Sequence, residues 1–300
     1  MTLKNRRILW AYLFLLIPLT FFIVVRTGPT LFAFDISLRN YNPMAADKPY
    51  NDFANFARLF KDLADPDHVT RKAFENTFKY VLIGMPLQLS IGLLFAMLLN
   101  TIRRLRTLYR VIYFIPFVTS AVAVAWVWRS LYMPDFGLFN LILELFGVPS
   151  QRFLLDPAQS LPSVTAVVVW QGLGYVIIIF LAGLQGIPET FYEAARVDGA
   201  NRWKIFTKVT LPLLNPTLVY LLVLQTIAFL RMFAEVVNLS RQGDGGPVNS
   251  TTTVVLRVFR ESFGSSLNMG YGAAITVMLF VIIMTISLVQ MRLTQRQVEY

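Results

Sequence analysis

The pattern of apolar and polar positions divides the chain into long apolar stretches separated by charged connections. Six stretches reach the roughly 18 to 20 residues that a helix needs to cross a bilayer core of about 30 Å. They run approximately from Ile8 to Val25, Phe78 to Leu99, Val111 to Trp128, Ser163 to Leu184, Leu211 to Leu230 and Gly272 to Met291, each bounded by charges or by Gly and Pro clusters. Helices in lipid can be apolar all round, so length carries the assignment and amphipathic periodicity does not. The expectation is an all-α integral membrane protein built as one transmembrane domain over 1–300. The first stretch follows Lys4, Arg6 and Arg7, like the start of a secretory signal. Its apolar run is long and no small-x-small cleavage site follows, which favours an uncleaved anchor.

Orientation follows from Lys and Arg in the short connections. Arg103, Arg104, Arg106 and Arg110 crowd the link after the second stretch, and Arg196, Arg202, Lys204 and Lys208 occupy the link after the fourth. Both links are therefore expected in the cytoplasm, as are the termini with Lys4, Arg6, Arg7, Arg292 and Arg296. The opposite side receives 26–77, 129–162 and 231–271. An even number of spans with both ends inside is self-consistent.

Composition narrows the chemistry. Of 300 residues 56% are hydrophobic and 15% charged, far from the balance of a water-facing surface. Much of the positive charge behind the net +10 is explained by the cytoplasmic links and termini, so nucleic acid is not an expected partner, whereas membrane lipid is. With no Cys and with His68 the single His, disulfides, Cys/His metal sites and thiol chemistry are excluded. The middles of all six stretches lack Asp, Glu, Lys, Arg and His. That disfavours proton relays and membrane-embedded catalysis. Gly243-Asp244-Gly245-Gly246-Pro247 is glycine-rich but has no lysine and opens no helix, so it reads as a turn and not as a phosphate-binding loop. Energy for any driven transport must then come from a partner. A self-sufficient secondary carrier is the alternative; it would show an inverted repeat or midplane coupling-ion ligands, and neither is visible.

The connection 186–212 has a pattern of its own. A short helix is expected to start near Pro188, where a missing N–H costs nothing, and to stop at Gly199, which can take a left-handed cap. Ala194 and Ala195 leave a thin surface that another protein's groove can approach, while Phe191 and Tyr192 offer buried contact area. Thr190-x-x-Glu193 also fits a capping box, in which the glutamate only bonds back to its own helix.

Glu193-Ala194-Ala195, then Gly199, then Val209-x-Leu211-Pro212 resembles the EAA loop of permease subunits of binding-protein-dependent ABC importers, with Val209 in place of the usual Ile. Asn76-Thr77, Gly137-Leu138-Phe139-Asn140, Trp170, Leu184-Gln185, Gly245-Gly246-Pro247, Thr251-Thr252 and Met269-Gly270 resemble the sugar-importing, maltose/glycerol-phosphate-type branch. Ser240-Arg241-Gln242-Gly243-Asp244 is longer than the usual link before Gly-Gly-Pro.

The resemblance implies a type I importer permease in a bacterial or archaeal cytoplasmic membrane. It implies a second permease subunit, usually a different chain, two ATPase subunits that bind the ATP and Mg²⁺, and an extracytoplasmic sugar-binding protein. The 188–199 helix would sit in a cleft of the ATPase, with Glu193, Ala194, Ala195, Asp198, Gly199, Leu211 and Pro212 as the coupling residues. Similar permeases hold sugar near the midplane with the fourth and fifth spans, where uncharged hydrogen-bonding groups and an aromatic face are needed. The candidates there are Trp170, Gln171, Tyr175, Gln225 and Thr226. Each also has a plainer role, because Trp and Tyr favour membrane interfaces and Gln and Thr join helices. Gly172 and Gly174 suit close helix packing or a break beside the path. The outer segment 26–77 and the Gly-Gly-Pro loop are expected to dock the binding protein, although the polar and aromatic mixture of Tyr41, Asn42, Pro43, Tyr50 and Phe53 equally suits a self-packed cap.

Overall fold

A computed structural model describes residues 3–102, 106–240 and 243–294. Arg103, Arg104, Arg241, Gln242 and Arg296, used above, lie outside the described residues, and nothing is said of the Arg106 side chain. In chain order the helices are α1 (Leu3–Ser37), α2 (Ala54–Ala64), α3 (Val69–Thr101), α4 (Arg106–Val118), α5 (Ala121–Leu131), α6 (Leu138–Leu145) and α7 (Pro157–Gln185). They continue with α8 (Glu189–Val197), α9 (Arg202–Leu213), α10 (Asn215–Leu230), α11 (Ala234–Leu239), α12 (Val254–Phe263) and α13 (Met269–Thr294). Among the described residues there is no strand, only an isolated antiparallel bridge between Arg39 and Tyr50.

Four of these helices, α1, α3, α7 and α13, are long and apolar enough to cross a membrane unbroken. The expected third and fifth spans are not single straight helices. Leu108–Val118 and Ala121–Leu131 meet at 94°, and Arg202–Leu213 and Asn215–Leu230 at 67°. At the first bend Ser120 turns extended (φ −54°, ψ 134°) and starts a new helix. At the second, Pro212 and Pro216 flank Leu214, and each proline removes one backbone N–H and crowds the carbonyl four residues back. The expected ends also shift: α1 runs on past Val25 to Ser37, and α3 begins nine residues before Phe78.

Proline also explains three wide π turns. Ile23–Thr27, Tyr80–Gly84 and Phe206–Thr210 each run directly into an X-Pro step, at Pro29, Pro86 and Pro212. The clash of each ring with the preceding turn is absorbed by widening that turn, so the helix continues without a break.

Two units pack within themselves. One comprises Met1–Ala64 and Val258–Phe280, the other Asp65–Arg257 and Val281–Tyr300. In the first, residues Leu3–Phe22 of α1 bury no side chain, as suits a lipid-facing helix. Its C-terminal end is tied down: Phe34 meets Phe280 edge-on at 5.9 Å, and the Asn55 amide donates to the Ser37 and Arg39 carbonyls, both at 2.9 Å. Arg39 pairs with Asp35 at 2.8 Å and lies 3.7 Å over the Tyr50 ring, whose hydroxyl also donates to Asp35. Tyr271 donates to the Asp62 carboxylate. Much of the 26–64 segment is therefore a self-packed cap.

In the second unit α3 and α7 form the core with α9 and α10, burying Leu89, Ala96, Val176, Ile177, Phe180, Leu184, Leu214 and Leu221. Gly92 lets the two long helices touch, since a Cβ there would come within 2.5 Å of Val176 Cγ1. The Gly245-Gly246-Pro247 turn is pinned by the Asn76 amide of α3, which donates to the Asn249 (2.9 Å) and Thr252 (3.2 Å) carbonyls, and by a Ser160–Ser250 hydroxyl pair at 2.7 Å.

Candidate functional site

The helix contacts that shape a cavity begin at two glycines of α7. At Gly174 a Cβ would lie 2.1 Å from the Tyr113 carbonyl oxygen, so α4 and α7 meet backbone to side-chain-free position. At Gly172 it would lie 1.9 Å from Gln88 Nε2, so a side chain from α3 fills the space that α7 leaves. Close helix packing is thus the role both glycines take. The bend between α4 and α5 leaves carbonyls without helical partners. Gln171 Nε2 donates to one of them, Thr119 O, at 3.2 Å.

Around these contacts lies a cavity of about 640 Å³. Gln88, Gln171 and Gln225 contribute neutral amides to its wall, and Tyr175 and Phe117 contribute aromatic surface. The two rings stack at 5.3 Å with 24° between planes, and the Tyr175 hydroxyl meets that of Tyr220 at 3.3 Å. Leu224 and Phe229 of α10 and the segment from Arg231 to Glu235 complete the lining. Gln225 is 8% exposed. The lining thus combines a stacking face, neutral hydrogen-bonding groups, one cation and one anion, which suits an uncharged, hydroxyl-rich solute.

Of the five residues picked from the sequence, Gln171, Tyr175 and Gln225 come together here and two do not. Trp170 is 39% exposed, sits edge-on to Trp128 at 5.3 Å, and is not part of the lining. Thr226 is fully buried, and its hydroxyl accepts from Gln290 Nε2 at 2.8 Å, pinning α10 to α13. Gln88, Phe117, Arg231 and Glu235 were not among the candidates. A side-chain amide in the middle of the apolar run 85–99 was the available signal for Gln88.

The second candidate site is the 186–212 connection. Helix α8 is Glu189–Val197 with Pro188 as its N-cap, and no side-chain cap bond forms, so the Thr190/Glu193 capping box does not exist. Thr190 lies inside the helix, two positions too late to serve as the cap. Gly199 has φ +72°; its N–H donates to Arg196 O at 3.1 Å and the Ala200 N–H to Ala195 O at 2.9 Å. This bond pair is the Schellman stop, which only a residue tolerant of left-handed φ provides cheaply. Glu193, Ala194 and Asp198 are exposed along α8, with Ala195 half-buried. Among the described residues Glu193 has no hydrogen-bond or ionic partner, while its neighbours Glu189 and Arg196 pair at 3.2 Å. Phe191 and Tyr192, expected to act together, diverge. Phe191 faces outward, whereas Tyr192 turns inward toward the Thr210 hydroxyl (3.5 Å) and packs on the core that holds Ile187. Leu211 and Pro212 lie at the end of the π turn, Leu211 half-buried and Pro212 exposed. The loop is thus a short helix anchored from below with its acidic face free.

The family described as "Binding-protein-dependent transport system inner membrane component" matches residues 88–299. A probable ABC transporter permease protein, YesP of Bacillus subtilis, is 34% identical over 282 residues, covering 93% of this chain and 87% of its own. The trehalose/maltose transport system permease protein MalF of Thermococcus litoralis is 31% identical over 293 residues, covering 97% and 95%. A chain of a bacterial alginate ABC transporter, solved in complex with an alginate pentasaccharide-bound periplasmic protein, superposes with a TM-score of 0.83 at 23% identity, covering 98% of each chain.

Proposed function

Because the chain belongs to the binding-protein-dependent transport system inner membrane components, as a multi-pass permease subunit of an ABC importer, we propose that it forms, with a second permease chain, the path of a sugar across the inner membrane. The observation that carries the sugar reading is the cavity that joins the Phe117/Tyr175 stack to the Gln171 and Gln225 amides. A carbohydrate needs those two features together: an apolar ring face to stack on and neutral groups that exchange hydrogen bonds with hydroxyls. The naming of one relative for trehalose and maltose supports the same class.

In this reading α8 is the coupling element. Two ATPase subunits, which hold the ATP and Mg²⁺, grip the exposed Glu193-Ala194-Ala195 face, with Glu193 pairing to a basic group in the cleft. The Gly199 stop gives α8 a fixed end, and Tyr192 and Ile187 join it to the spans, so a pull on α8 moves α9 and α7 as rigid levers between inward-open and outward-open states. The topology that goes with it has six spans, counting each bent pair as one, and both termini in the cytoplasm. An external binding protein docks on the pinned Gly-Gly-Pro turn and the cap formed by 26–77.

The test is gentle purification of the chain from its membrane, wild type beside Glu193→Lys, followed by uptake in vesicles. The expected result is an ATPase and a second permease with the wild type, both weakened in the variant, and ATP-dependent uptake lost while membrane insertion is kept. Full uptake by Glu193→Lys refutes the coupling assignment. A chain that arrives alone and moves solute without ATP refutes the importer assembly.

A further inference from the structure

We propose that Gln88 is a specificity-determining residue of this path, one that reads a hydroxyl of the solute. The inference rests on the solute-path reading of the cavity given above. Gln88 lies in α3, is 2% exposed and forms part of the cavity wall. Among the described residues its Oε1 has no hydrogen-bond partner. The amide reaches the wall only because position 172 on the facing helix is Gly, where any Cβ would come 1.9 Å from Nε2.

A glutamine that merely joins membrane helices bonds across the contact it makes. Gln290 does so to Thr226 Oγ1 at 2.8 Å, and Gln171 does so to Thr119 O at 3.2 Å. Gln88 reaches Gly172 of α7 and its Oε1 makes no bond across that contact, so a helix-joining role does not account for it. An unsatisfied buried acceptor disfavours the state that contains it by on the order of ten-fold or more. A state in which a solute supplies the missing bond is favoured by the same factor.

The chemistry of the amide identifies what it takes. Its terminal torsion is broad and two-fold, so a half-turn exchanges the oxygen with the nitrogen at the cavity side. A hydroxyl is donor and acceptor in one group, so it can donate to Oε1 as the amide stands or accept from Nε2 after the half-turn. A carboxylate or phosphate oxygen only accepts and leaves Oε1 unpaired. The neighbouring Gln171 and Gln225 are equally neutral, and the single cation, Arg231, is balanced by Glu235. Gln88 therefore selects a neutral solute that places one particular hydroxyl against α3.

The experiment uses the whole importer in vesicles, with its own binding protein outside and ATP inside, and the probes are maltose, trehalose and their single-deoxy derivatives. Wild type is compared with Gln88→Met, which keeps length and loses the amide, and with Gln88→Asn, which keeps the amide but withdraws it by one carbon. The binding protein is the same throughout, so only a change in the parent-to-analogue ratio counts. Wild type is expected to favour the parent over one deoxy analogue by about ten-fold or more. Both variants should bring that ratio close to one, and co-purification of the ATPase and second permease with each variant checks that it assembles. Where the Met variant does not assemble, the Asn variant gives the same reading. An unchanged ratio in an assembled variant overturns the inference and leaves the importer reading intact. A wild-type complex that hydrolyses ATP yet moves neither sugar nor any derivative refutes the sugar reading itself, and this inference with it.

Discussion

Gly172 and Gly174 sit two residues apart on α7, and the structure assigns them opposite tolerance for a methyl group. In Gly174→Ala the new Cβ meets backbone, with the Tyr113 carbonyl oxygen at 2.1 Å and Phe114 Cα at 2.9 Å. Relaxed carbon contacts lie near 3.5 Å, so α4 and α7 must part by about 1 Å or more. Overpacking of this kind costs about 1–3 kcal/mol, and the upper end applies because a helix backbone cannot rotate aside. The same displacement strains the Gln171–Thr119 bond and the Phe117/Tyr175 stack, worth about 1 kcal/mol together. Alanine returns about 0.5–1 kcal/mol of helix propensity. The net loss of about 2–3 kcal/mol should lower the thermal midpoint of the purified complex by roughly 5–10 °C. In Gly172→Ala the Cβ instead meets the tip of the Gln88 side chain, which can swing away. Its midpoint should stay within about 3 °C of wild type, while its sugar selectivity changes in the manner of the Gln88 variants. Equal midpoints for the two alanine variants would refute the helix contact on which both arguments stand.

Gly199→Ala should weaken coupling without a clash: nothing lies within 4 Å of the added Cβ, so its cost is the left-handed backbone alone, about 1–2 kcal/mol. Solute moved per ATP hydrolysed should fall, and Gly199→Asn should fall less. Asn140→Ala removes a buried side chain that bonds the Met133, Pro134 and Gln151 carbonyls and accepts from the Gln151 N–H at 2.8 Å. It should cost about 1–3 kcal/mol in a thermal scan with sugar selectivity unchanged. Trp170→Phe should leave the parent-to-deoxy uptake ratio at its wild-type value, because Trp170 packs on Trp128 outside the cavity lining. Thr226→Val, of similar shape, removes the acceptor of the Gln290 Nε2 bond and should lower the thermal midpoint by a few degrees.

What could be read along the chain were features whose physical cause is local. Apolar runs announce membrane helices because a backbone in lipid must satisfy its own hydrogen bonds. Each expected stretch falls on one long helix or one bent pair. Pro188 and Gly199 bracket α8 because a proline cap and a left-handed glycine act within one turn. The capping box failed for an equally local reason: Pro188 takes the cap position, and Thr190 is left inside the helix. The bends are intermediate. Pro212 and Pro216 are visible in the sequence, but the 67° angle depends on what the two halves pack against.

The amino-acid sequence by itself determined that the chain is a membrane permease, where the short helix α8 begins and ends, and which polar residues lie among its apolar spans. Only the tertiary structure decided which of those residues share the cavity. Gln88 and Gly172 are 84 positions apart, and Thr226 and Gln290 are 64 apart. Whether an amide faces a void, a partner or a bend depends on the rotation of each helix about its own axis and on the residue opposite. In lipid the apolar pattern that would reveal that rotation is absent, because every face is apolar. Gln171 and Thr226 therefore stood together as candidates in the sequence and Gln88 did not, yet one ties off a broken helix, one pins two helices together, and Gln88 is left with an acceptor unpaired in the wall of the cavity.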